Sequence, residues 1–117
     1  MNEIPAHERP ISEQYRIAAN RWCDADGEAR ELEELKTTML EQKKNALVLA
    51  AGGKIPDSHA EREVKASDEW ETYIRGMVHA RTKANKLKVE MDRLRMLERE
   101  IAERNNTIRA EMRMHAR

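Results

Sequence analysis

Phenylalanine is missing from this chain, and aromatic residues of any kind make up only 3% of its 117 positions. A compact core of ordinary depth leans on such side chains, so a rounded globular domain is hard to build here. Glycine and proline are scarce as well, four and three in number. With 38% charged residues, this composition leaves two classes open: disorder, or long helices that bury a narrow seam. A single cysteine, Cys23, excludes an internal disulfide and fits a reducing compartment. Beside Trp22, its thiol is expected to be partly buried. No apolar run approaches the ~20 residues needed to cross a bilayer. The opening MNEIPAHERP lacks the basic and apolar parts of a signal peptide. The expectation is a soluble, cytoplasmic protein.

Periodicity decides for helices. Ser12 offers a capping oxygen and Glu13 suits a first helical turn. From there Ile17, Trp22, Ala25, Ala29, Leu32, Leu35, Met39, Ala46 and Leu49 recur mostly at three- and four-residue steps. The pattern stops at AGGKIPDS, where Gly52 or Gly53 can end a helix in the left-handed conformation and Pro56 blocks continuation. Ser58-His59-Ala60-Glu61 has capping-box spacing, and Ser67-Asp68-Glu69 is a second start signal close behind. The spacing predicts a flexible or partner-tied arm over 1–11, a helix over 12–51, a turn over 52–57 and a helix over 58–117 with a break near Ala66.

From Trp70 onward the second helix carries a heptad. One core set is Trp70, Met77, Ala84, Met91, Glu98, Asn105 and Met112. The alternating set is Tyr73, Ala80, Leu87, Leu94, Ile101, Ile108 and His115. The expected fold is all-α, a long antiparallel helical hairpin. At 1.5 Å per residue, the first helix can cover the second only to about residue 97. Residues 98–117 should overhang, and Ile101 and Ile108 on that overhang call for a second chain. The assembly expected is a coiled-coil or four-helix-bundle dimer, with Asn105 at a core position as a register pin. Asn106 falls outside the seam. Parallel pairing would attract through Glu90–Arg95 but repel through Lys83–Lys88 and Arg104–Arg109, so orientation stays open.

Charge is uneven along a neutral chain. Residues 1–35 hold nine acids against four bases, and residues 75–117 hold twelve bases against six acids. The simpler explanation is an acidic helix lying on a basic one, because most of the bases alternate with acids at helical spacing. The alternative is a nucleic-acid contact through Arg75, Arg81, Lys83, Lys86, Lys88, Arg93, Arg95 and Arg99. Against it, no stacking aromatics accompany the bases along this segment.

Chemistry finds little foothold. His7, His59, His79 and His115 are scattered, without the convergent spacing of metal ligands. Cys23 has no activating partner. GGK lacks the other residues of a phosphate loop. The carboxylates at Glu33/Glu34 and along 98–103 are expected to face water. No catalytic residue, cofactor or small-molecule substrate is expected. Val89, Met96 and Leu97 lie outside the two core sets, and methionine suits adaptable contacts. Together with Ile101, Asn105, Ile108 and Met112 they form the expected oligomer or partner interface.

The segments YRIAANRW (15–22) and VKASDEWETYIRGMVHARTKANKLKVEMDRLRM (64–96) resemble short helical proteins that tailed phages and prophages encode among recombination and early-region genes. The resemblance covers somewhat under half the chain. It implies a non-enzymatic protein that grips a host or phage enzyme handling DNA, as accessory or inhibitor, or that assists strand annealing.

Overall fold

A computed structural model describes residues 4–116, and these are all-α. A short 3-10 turn, Ala6–Glu8, precedes three α-helices: α1 (Ile11–Ala50), α2 (Asp57–Lys65) and α3 (Asp68–His115). The chain divides into two compact units, Asp24–Ala84 and the pair of segments Met1–Cys23 with Asn85–Arg117.

In the Asp24–Ala84 unit the chain folds into an antiparallel hairpin. Gly52 and Gly53 take φ of +68° and +76°. Side chains adopt that region only with strain, and glycine adopts it freely. The amide of Gly53 then donates to the Val48 carbonyl, closing the end of α1 in the manner of a glycine helix stop. Pro56 begins the return. Its carbonyl accepts from the amides of His59 and Ala60, so α2 starts at Asp57, and no side chain caps it. Ser58 therefore lies inside the first turn and does not cap, a correction to the capping-box reading. Likewise the Pro10 carbonyl accepts from Glu13 and Gln14, which starts α1 at Ile11 and leaves Ser12 within the helix.

The α2–α3 break falls at Ala66 and Ser67. Ser67 serves both sides of it. Its hydroxyl donates to the Val64 carbonyl at 2.6 Å and accepts from the Trp70 amide at 3.3 Å. A proper N-cap thus stands one residue before α3.

Small residues mark where helices approach most closely. Ala29, Ala60 and Ala84 are fully buried, with Ala25, Val64 and Trp70 nearly so. Trp70 stacks on Tyr73 with ring centroids 5.6 Å apart, and the Tyr73 hydroxyl donates to the Leu32 carbonyl. Charge reinforces the antiparallel pairing. Arg81 Nη1 meets Asp26 at 2.7 Å, and its Nε and Nη2 grip both oxygens of Glu33 at 2.9 and 2.6 Å. Lys43 reaches Glu69 at 2.6 Å. Within this unit Arg81 brings positive charge from α3 onto acids of α1, as the charge pattern suggested, while Lys43–Glu69 runs the other way.

Past Leu32 the buried stripe of α1 departs from the expected one. Leu35, Ala46 and Leu49 are exposed, while Leu40 and Leu47 are half-buried and Lys44 is only 5% exposed. Lys44 enters the seam because its ammonium has two carboxylates waiting, Asp57 at 2.9 Å and Glu41 at 3.3 Å. Its apolar stem can then serve as packing. The hydrogen bond to Asp57 holds its pKa above the ordinary lysine value.

In the other unit, Ala18 of α1 packs with Met91 and Leu94 of α3, and Tyr15, Ala19 and Trp22 close the cluster. The Arg95 guanidinium lies 5.8 Å from the Tyr15 ring centroid and donates to its hydroxyl at 3.2 Å. Residues 4–10 are tied to the start of α1: Gln14 Nε2 donates to the carbonyls of Arg9 and His7, and Arg9 Nε to that of Ile4. The remainder of the expected 1–11 arm, residues 1–3, lies outside the described residues. Cys23 is exposed, a correction: the buried stripe runs through Trp22, Ala25 and Ala29, and position 23 falls off it.

Candidate interaction surface

The heptad positions from Trp70 to Leu94 are buried or half-buried throughout: Trp70, Tyr73, Met77, Ala80, Ala84, Leu87, Met91 and Leu94. The same register continues along α3, and its environment changes. Glu98 is exposed, Ile101 half-buried, and every described residue from 102 onward is exposed. Asn105 therefore sits on an open stripe with Ile108, 42% exposed, and Met112, 65% exposed. α3 remains helical through His115, although a lone segment of that length is marginal in water.

A second apolar feature lies on the opposite side of α3. Val89 and Met96 are 69% and 62% exposed. They are seven residues apart, two helical turns, so they share one outward face about 10 Å long. Leu97, at the edge of the seam, is half-buried. Of the expected interface residues, then, Val89, Met96, Asn105, Ile108 and Met112 are open to contact, while Leu97 and Ile101 are partly covered.

The basic residues divide into two groups. Four have contacts within the chain. Arg81 is held by Asp26 and Glu33, Arg75 by Glu71 at 2.6 Å, Arg93 by Glu90 at 2.7 Å, and Arg95 lies on Tyr15. Glu33 is exposed as expected, and its hydrogen bonds from Arg81 draw it below the ordinary carboxylate range. Arg93 similarly lowers Glu90. Lys83, Lys86, Lys88 and Arg99 are exposed and outside any ion pair among the described residues. Sequence reasoning could not find the Arg81 cluster, whose partners lie 55 and 48 residues away.

Two grooves mark the described surface. A shallow groove of about 240 Å³ is lined by His7, Gln14, Ile17, Ala18, Arg21, Glu90, Arg93 and Leu94. Another of about 460 Å³ lies against Lys43, Leu47, Val64, Ser67 and Glu69. Among the described residues no three His, Cys, Asp or Glu side chains converge as metal ligands, and no helix is long and apolar enough to cross a membrane. Compared with protein-family models, with curated proteins and with solved structures, the chain finds no match in any of the three.

Proposed function

We propose that this chain is a non-enzymatic protein-binding protein that self-associates through the end of α3 and grips a second protein. By the resemblance to small phage proteins, that partner belongs to nucleic-acid-processing machinery, of phage or host, and the chain is its accessory or inhibitor. The observation that carries the reading is the exposure of large apolar side chains at helical spacing on α3, Val89 and Met96 on one face and Ile108 and Met112 on another. Exposed apolar surface organised in stripes marks a contact site more often than scattered single residues do. Arg81 is engaged by Asp26 and Glu33, and Arg75 and Arg93 each pair with a carboxylate, which favours protein over nucleic acid as partner.

The test is capture of partners by the immobilised full chain, alongside Val89→Asp/Met96→Glu. Both positions are exposed, so the fold should survive. The reading predicts a specific protein retained at high salt and lost with the double substitution. Capture of DNA or RNA instead, falling steeply with salt and abolished by neutralising Lys83, Lys86 and Lys88, would replace it with direct nucleic-acid binding.

A further inference from the structure

The open stripe at the end of α3 has a charge pattern that selects its occupant and the occupant's direction. Resting on the self-association proposed above, we infer that residues 101–112 pair with the same segment of a second copy, and that the two segments run antiparallel. Ile101 and Ile108 take one core position, and Asn105 and Met112 the other. Arg104 and Glu111 then flank the seam on one side, Ala102 and Arg109 on the other. All four flanking residues are exposed.

In a parallel pair, opposite flanks meet. Each Arg104 would lie beside the partner's Arg109, twice by symmetry, and Glu111 would find only alanine. In an antiparallel pair, like flanks meet. With Ile101 opposite the partner's Met112, Arg104 lies beside the partner's Glu111, again twice. Ala102 then faces the partner's Arg109, and a small neighbour leaves that guanidinium in water. Two repulsions become two attractions.

The core agrees. Four layers form: Ile101 on the partner's Met112, Asn105 on the partner's Ile108, and the same two again by symmetry. Sliding by one heptad brings Glu98 or His115 into a layer and loses the Ile101–Met112 contact. Asn105 against an isoleucine is unfavourable. However, a neutral amide at the edge of a two-stranded seam keeps water on one side, which lowers that cost. The two Asn105 side chains flank the symmetry axis, offset by about 4.5 Å along the helix direction. Space favours the same answer. The seam of α3 is already occupied by α1 at Met91 and Leu94. Parallel pairing would bring both occupied regions to one end, and antiparallel pairing keeps them at opposite ends.

Sedimentation equilibrium on the full chain, with circular dichroism to confirm the fold, decides the matter. Arg104→Glu sets a carboxylate against the partner's Glu111 and should raise the dimer dissociation constant about tenfold. Glu111→Arg should do the same, and the two together should restore it. Parallel pairing predicts the opposite for Arg104→Glu, a tighter dimer, through attraction to the partner's Arg109; that result overturns the orientation. A dimer indifferent to all three variants overturns the seam itself and leaves self-association standing. A full chain that is monomeric at every concentration removes the self-association on which the inference rests.

Discussion

Arg81 shows how much of this protein rests on contacts that local sequence cannot display. One guanidinium joins Asp26 and Glu33 of α1 to α3 through three hydrogen bonds, and its own pKa rises in consequence. Glu33, Glu69 and Glu90 are each held below the ordinary value of 4.5 by a hydrogen-bonded Arg81, Lys43 and Arg93 respectively. Carboxylates lowered by folding contribute stability that is fully present above their unfolded value and lost as pH falls through the folded ones. Lys44 works in the other direction: its raised pKa contributes stability present below 10.5 and lost above it. Thermal stability should therefore hold between about pH 5 and 10 and fall on both sides. Arg81→Ala should lower Tm by a few degrees at neutral pH and flatten the acid limb, because the Glu33 carboxyl then titrates near its unfolded value. An acid limb unchanged by Arg81→Ala, followed by circular dichroism, would refute that assignment. Lys44 illustrates the same limit of legibility. Its burial depends on Asp57, thirteen residues on and across a turn, whereas a lysine read alone belongs on the surface.

Among elements, what could be read was what is local. The heptad from Trp70 to Leu94 needs only i, i+3 and i+4 spacing, and those positions are the buried ones. The turn was legible because Gly52 and Gly53 before Pro56 leave the chain few alternatives. Helix starts were misread at Ser12 and Ser58 because a proline carbonyl, at Pro10 and Pro56, begins each helix one or two residues earlier. In α1 the counted stripe drifted to Leu35, Ala46 and Leu49 because the true one follows α2 and its lysine partner. The glycines give a matched test. A Cβ on Gly53 or Gly76 would meet nothing within 4 Å, so backbone preference alone decides the outcome. Gly53→Ala must hold positive φ and should destabilise by about 1–2 kcal/mol. Gly76→Ala lies inside α3 and should stabilise by about 1 kcal/mol. Urea unfolding reads both, and equal effects would mean that the turn is not held as described.

For the whole molecule, the central claim is that helix length left over on α3 needs a second chain. α1 supplies the cover at Met91 and Leu94. Beyond Ile101 the heptad continues with no cover among the described residues, while the helix persists to His115. A solitary amphipathic stripe at the end of a helix should fray unless it is paired. The most direct measurement is the solution mass of the full chain and of a version ending at Leu97, across the same concentration range. The full chain should approach twice 13.7 kDa at high concentration while the shortened one stays monomeric. Two monomers, or two dimers of equal affinity, would contradict the account.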